Sequence, residues 1–261
     1  MDQMNLKNGL FLISILSIIF LFTTCVAGSN NPLKSNNPVV GDLPQKVEDH
    51  FIPEPAEYKI QSWVENLRIP WELIFLSENK AMGDIPDDNP FTGSPVYSLG
   101  FRNPQGLAWY PKTGVLFSSN HGPSGEFGLQ GKDTINVIKK GSNYGWPLVL
   151  GNANFKPYIA PIIMWSQATL PSGMTFWNNR LYIATLRSET LLRIDIEPSG
   201  ESYQAANIDR LFANDLYHGT YGRLRDAVVG TDNALYVLTN NYDGRGTPQP
   251  GDDKILRLTL K

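Results

Sequence analysis

The sequence predicts an all-β chain folded as a β-propeller, and three observations carry that expectation. The first is composition: 23 Gly and 19 Pro in 261 residues make a chain of many turns, better suited to short strands than to long helices. The second is a strand-turn-strand unit that occurs three times, from Gly106 to Ser119, from Gly173 to Thr185 and from Ala227 to Thr239. In each, a short apolar strand meets a turn of Pro, Asn, Asp or Gly type and returns on a Leu-Phe or Leu-Tyr pair. The third is that a further β-rich run follows each unit after a polar loop, at 134–138, 191–196 and 255–260. A four-stranded antiparallel blade fits this pattern, and a lone blade buries too little surface to stand alone, so several must pack around an axis. A β-sandwich is the competing architecture, with less need of a recurring unit.

The chain divides into three segments. Lys7, the apolar run from Gly9 to Phe22 and the small residues up to Gly28 have the order of an export signal. The run is shorter than a membrane-spanning helix requires. Cleavage after Ala27, lipid modification of Cys25 and an uncleaved anchor all remain open. Residues 1–27 are thus read as a signal peptide or a membrane or lipid anchor. The protein is expected outside the cytoplasm: periplasmic, extracellular or held on the outer face of the cell membrane through this segment alone. Residues 28–57, rich in Asn, Pro and Ser, read as a flexible linker in which His50 is solvated. Residues 58–261 form the propeller.

With 22 Lys and Arg against 25 Asp and Glu, a net charge of −3 excludes the basic footprint of a nucleic-acid binder. One Cys excludes a disulfide framework and a Cys-based zinc site. No phosphate-cradling glycine loop, nucleophile elbow or HExxH motif is present. Trp109, Trp146, Trp165 and Trp177 are read as packing between blades.

The meander then places the polar clusters. Arg102 to Gln105 precedes a first strand, His121 to Pro123 and Leu186 to Ser188 each follow a second strand, and Gly222 to Asp226 precedes the last first strand. In a propeller all four lie at one mouth, where loops on a rigid scaffold collect binding groups. Arg102, Arg187, Arg223 and Arg225 would converge there, suited to planar carboxylates or phosphates, unless they pair with Asp226, Glu189 or Asp133 and only staple loops. The Gly122-Pro123 turn offers consecutive carbonyls to a hard cation such as calcium.

At these residues the chain resembles the soluble quinoprotein sugar dehydrogenases, the glucose/sorbosone or aldose sugar dehydrogenase family. The resemblance rests on Ile85 to Phe91, Ser98 to Trp109, Asn120 to Gly125, Gly141 to Pro147, Pro171 to Phe176, and Gly222 to Asp226 with Ala234 to Thr239. A weaker piece runs from Val64 to Trp71. It implies a six-bladed propeller binding pyrroloquinoline quinone (PQQ) and calcium, which oxidises the anomeric CH–OH of aldose sugars to lactones and passes electrons to an external acceptor. Arg102, Asn103, Gln105, Arg187, Arg223 and Arg225 match cofactor-contacting positions. Gly122 and Pro123 match carbonyl ligands of the cofactor's calcium. Tyr144 matches a carbonyl ligand of a second, structural calcium, where Asp133 would have to replace a Glu.

The sequence departs from the family between Leu76 and Asp84, where about two blades are skipped and about four are expected to remain. The family's catalytic His lies in that stretch. None of His50, His121 and His218 matches it: His121 is read as ordering its loop, and His218, in a loop at the mouth, as a candidate substitute base. Two classes of function follow, an exported sugar dehydrogenase and a catalytically inactive propeller that keeps the ligand mouth.

Overall fold

The computed structural model describes residues 38–42, 47–67, 87–94, 96–151 and 155–261. The expected signal segment and the junction from Leu76 to Asp84 lie outside them. Fifteen strands are described: β1 (Val39–Val40), β2 (Asp49–Ile52), β3 (Tyr58–Val64), β4 (Asn103–Trp109), β5 (Leu116–His121), β6 (Thr134–Ile138), β7 (Val149–Leu150), β8 (Ile163–Met164), β9 (Pro171–Trp177), β10 (Arg180–Thr185), β11 (Leu191–Ser199), β12 (Ser202–Leu211), β13 (Leu224–Val229), β14 (Leu235–Thr239) and β15 (Ile255–Leu260).

Three blades account for most of them. The first has the order β4-β5-β6-β8, the second β9-β10-β11-β12 and the third β13-β14-β15-β3, all antiparallel. The inner strands lie side by side, β4 against β9 and β9 against β13. This is the radial arrangement the repeated unit predicts, with three blades among the described residues where about four are expected. The third blade takes its outer strand from the amino-terminal side of the sequence, Tyr58 pairing with Leu260 and Val64 with Ile255.

The strands of the second and third blades read as continuous apolar runs because those sheets pack apolar side chains on both faces. Alternation decides which face each side chain serves. On β10, Leu181 and Ile183 join the core between the first and second blades, built with Phe117, Ile135, Met174 and Phe176. Tyr182 and Ala184 turn the other way, into the core between the second and third blades, with Trp177, Leu235, Val237 and Leu256. On β14, Tyr236 and Leu238 face the far side of the third blade. Near the axis the inner strands leave no room for a side chain: a Cβ on Gly173 would stand 1.8 Å from an Asp226 carboxylate oxygen.

Two expectations are corrected. The stretch read as a flexible linker contributes two strands: β2 extends the second blade as a parallel fifth strand beside β12, and β1 pairs with β7. Arg210, fully buried on β12, holds Asp49 of β2 through a 2.5 Å contact, and that ion pair anchors the segment where composition alone suggests disorder. His50 accordingly sits on a strand, 3.6 Å from Asp209. Trp177 is packed between blades as expected, but Trp109 is 62% exposed and its neighbour Leu107 57% exposed, both on the face of β4 turned away from the second blade.

Candidate functional site

The end of the blades at which first strands begin and second strands end carries two adjoining cavities. The larger, about 540 Å³, is lined by Arg102, Asn103 and Gln105 at the start of β4, His121 at the end of β5, Arg223 and Arg225 at the start of β13, and Asn240, Asp243 and Arg245 after β14. The smaller, about 480 Å³, is lined by Pro123, Gln130, Asp133, Gln167, Arg187 and Tyr217 among others. Ser124 and Leu170 line both. Arg102, Arg223 and Arg225 thus meet in one cavity, while Arg187 faces the next, its guanidinium 5.3 Å from the centre of the Tyr217 ring.

The arginines are held in different ways. Arg223 is 5% exposed; its Nε and Nη2 donate to Asp243 Oδ2 at 3.2 and 2.6 Å, and its Nη1 to the Leu186 carbonyl at 3.1 Å. Arg102 donates to Glu126 at 2.8 Å and to Ser124 Oγ at 3.2 Å. Burial depresses the Arg225 pKa against the opposing pull of Asp226 and Asp243. Concentrating guanidinium groups in one cleft of an acidic chain produces a local positive field that favours anions.

The Glu126 pKa is drawn down to about 2, first by the backbone N–H of Ser124 and then by Arg102. A carboxylate lowered on folding stabilises above its unfolded value and loses that contribution only as pH falls through its folded value. The Arg102–Glu126 link should therefore persist in acid well below pH 4. A carboxyl-carbon NMR titration of Glu126 with an ordinary midpoint near 4.5 would contradict this.

Among the described residues, two that line the larger cavity each carry a buried side-chain atom without a well-formed hydrogen bond, Asn240 Oδ1 and His121 Nε2. Asn240 is 1% exposed and His121 8%. Buried groups of this kind ordinarily find partners, so they mark this wall of the cavity as polar beneath its surface. Burial keeps the His121 pKa low, opposed by Asp133 and by a weak approach of the Pro171 backbone. Asn103 Nδ2 lies 3.4 Å from His121 Nδ1, with Asn103 Oδ1 taken by Gln105 at 2.8 Å. That arrangement assigns the ring proton to Nε2, so neutral His121 presents an N–H donor.

The expected metal ligands part company. Gly122 and Pro123 lie buried in the irregular segment that follows β5, and Pro123 lines the smaller cavity. A Cβ on Gly122 would come within 2.1 Å of the Gly131 carbonyl oxygen and 2.6 Å of that of Lys132. Gly122→Ala should cost about 2–3 kcal/mol by overpacking, and a denaturant midpoint unchanged from the parent would refute the steric reading. Asp133 spends its carboxylate on backbone: Oδ1 accepts from Gly122 at 2.9 Å and Oδ2 from Thr169 and Leu170 at 2.7 Å each. Tyr144 lines neither cavity; its hydroxyl donates to the Val137 carbonyl at 2.6 Å, its ring stacks on Phe101, and burial pushes its pKa up to about 12. Among the described residues no three His, Cys, Asp or Glu side chains cluster to hold a metal.

His218 is placed outside both cavities, exposed, with its Nδ1 2.9 Å from Asp215 Oδ2. The hydrogen bond and charge of Asp215 raise its pKa, which would strengthen it as a base, so it is its position outside both cavities that sets it apart from the site. Asn240, Asp243 and Arg245 went unremarked in the sequence. Yet they follow a second strand just as His121 and Arg187 do, and that position in the meander was the available signal.

The family model described as Glucose / Sorbosone dehydrogenase matches residues 76–256. The chain belongs to this family. It is 31% identical over 189 residues to the aldose sugar dehydrogenase YliI of Escherichia coli, across 62% of this chain and 47% of that protein. It is 53% identical to quinoprotein glucose dehydrogenase B of Acinetobacter calcoaceticus, across 66% of this chain and 48% of that protein. The PQQ-bound aldose sugar dehydrogenase of Streptomyces coelicolor superposes with a TM-score of 0.58 at 38% identity, over 69% of this chain and 49% of that one. The chain spans about half the length of the curated relatives it matches.

Proposed function

We propose that the chain is an exported sugar dehydrogenase that oxidises the anomeric CH–OH of an aldose to a lactone, using PQQ in the larger cavity. The observation that carries this reading is the cavity itself, where Arg102, Arg223 and Arg225 meet Asn103, Gln105, His121 and Asn240 in a chain of this family. The residues present fit a planar polycarboxylate. Arg223 and Arg225 would hold its carboxylates, Asn103 and Gln105 would hydrogen-bond its edge, and His121 Nε2 would donate to one of its oxygens. Asn240 Oδ1 would accept from a ring N–H. Arg187 would reach the ligand from the adjoining cavity. The carbonyls of Gly122 and Pro123 would offer calcium the oxygen ligands it prefers. When bound, the quinone supplies a hydride acceptor and calcium a Lewis acid, with electrons leaving to an external acceptor. A second calcium at Asp133 and the Tyr144 carbonyl would have to compete for a carboxylate already committed to three N–H groups.

One observation favours the other reading, a ligand-binding propeller without turnover. Dehydrogenation needs a group to take the sugar's hydroxyl proton, and the three titratable groups suited to it on these cavities are all engaged. His121 accepts at Nδ1 from Asn103, Asp133 binds three backbone N–H groups, and Asp243 binds Arg223 and the Arg245 N–H. Titrating PQQ with calcium into the purified chain and following glucose-dependent reduction of a dye separates the two. PQQ binding with dye reduction establishes the dehydrogenase, and binding without reduction establishes the module. No binding, in a chain that is folded by circular dichroism, would overturn both.

A further inference from the structure

We infer that Arg245 is a specificity residue that selects sugars bearing an anionic group, a uronic acid above all. The inference rests on the proposed dehydrogenase site and names its substrate class. Arg245 differs from its neighbours on the larger cavity. Arg102 is tied to Glu126 and Arg223 to Asp243, and Arg225 is half-buried and feels the charges of Asp226 and Asp243. Arg245 is exposed at the rim, and its guanidinium makes no hydrogen bond or ion pair among the described residues. The inner arginines suit a ligand at the floor; a fork left open further out suits a carboxylate on whatever binds above it.

The loop that delivers Arg245 is built for a fixed position. Its backbone N–H donates to Asp243 Oδ1 at 2.9 Å, so one carboxylate orients both Arg223 and Arg245. Gly246 follows, where a Cβ would stand 2.7 Å from the Asn241 backbone and 2.9 Å from Arg223 Cδ, so the loop can lie against Arg223 only with glycine there. Buried Asp253 accepts from the Asn241 N–H at 2.5 Å, and buried Asp252 from Asn241 Nδ2 at 3.0 Å and the Gln249 N–H at 2.8 Å, closing the loop at its base. An arginine carried on so constrained a loop, beside three others, is placed to meet a charge that none of the described residues supplies.

The test uses the whole chain loaded with PQQ and calcium, with D-glucuronate and D-glucose as probes. Isothermal titration should show glucuronate bound at least tenfold more tightly than glucose, with the advantage shrinking as ionic strength rises. Arg245→Gln should cut that ratio by at least tenfold, and Arg245→Lys, which keeps the charge but loses the fork, should restore part of it. If the chain turns over, the ratio of kcat/KM values for the two sugars should follow the same pattern. Equal binding of both sugars overturns the inference, as does an unchanged ratio in Arg245→Gln. A loss of PQQ affinity in Arg245→Gln as large as in Arg223→Ala would also overturn it, by giving Arg245 to the cofactor. Failure to bind PQQ at all would instead strike the underlying reading.

Discussion

Asp243→Ala is expected to destabilise the protein by about 3 kcal/mol and to abolish high-affinity PQQ binding. Asp243 joins two functions that usually rest on separate residues. Its Oδ2 neutralises Arg223, whose side chain is almost wholly buried, and its Oδ1 holds the backbone of Arg245. Removing it leaves a guanidinium out of water with only the Leu186 carbonyl for a partner. Breaking a buried pair from one side costs more than the pair contributes, because the orphaned charge remains. For a chain of this size the melting temperature should fall by roughly 6–12 °C. The double variant Arg223→Met with Asp243→Leu separates the two roles: it should recover much of the stability, since no buried charge is left, but none of the PQQ affinity. A melting temperature for Asp243→Ala within 2 °C of the parent, or a double variant that still binds PQQ tightly, would remove Asp243 from the centre of this account.

How far the sequence carries depends on which physics each feature obeys. The repeated units are local, so their strands were legible: the runs at 134–138 and 255–260 are β6 and β15, and that at 191–196 lies within β11. The gathering of Arg102, Arg223 and Arg225 was legible too, because a meander assigns every loop to one end or the other without any need of side-chain detail. What failed was long-range. The linker composition of 28–57 gives no hint that Asp49 will meet Arg210 or that β2 will lie along β12. Trp109 has the apolar character of a blade core, and only the placement of neighbouring sheets decides that its face of β4 is open. His218 stands close to Arg223 in sequence, yet its loop turns it toward Asp215 and solvent. The loop 240–246 was overlooked because Asn, Asp and Gly there read as ordinary turn chemistry, and nothing local separates a turn that positions an arginine from one that merely reverses the chain.

Asp133→Ala is expected to cost about 4 kcal/mol, the other large effect, and to do so without any role for a metal. Its carboxylate accepts from three backbone N–H groups, one on the turn after β5 and two on the segment that leads into β9. It therefore fastens the first blade to the second at the mouth, beneath the cavity that holds Arg187. Asp133 itself is 1% exposed, so water cannot readily take its place, and each N–H left unmade carries a desolvation penalty of about 1–3 kcal/mol, though the three will not add in full. Asp253 serves the third blade in the same way, just before β15, accepting from the N–H groups of Asn241 and Tyr242. The second blade uses hydroxyls instead, Thr185 Oγ1 accepting from the Thr190 N–H. Asp133→Asn should lie between parent and Asp133→Ala: an amide oxygen can still serve Thr169 and Leu170, but the amide NH₂ then opposes the Gly122 N–H. Chelating calcium from the parent protein should fall well short of this loss in thermal melts, because the three N–H contacts do not need the ion. If chelation did reproduce it, and Asp133→Ala no longer responded to chelator, the carboxylate would be a metal ligand and not a backbone staple.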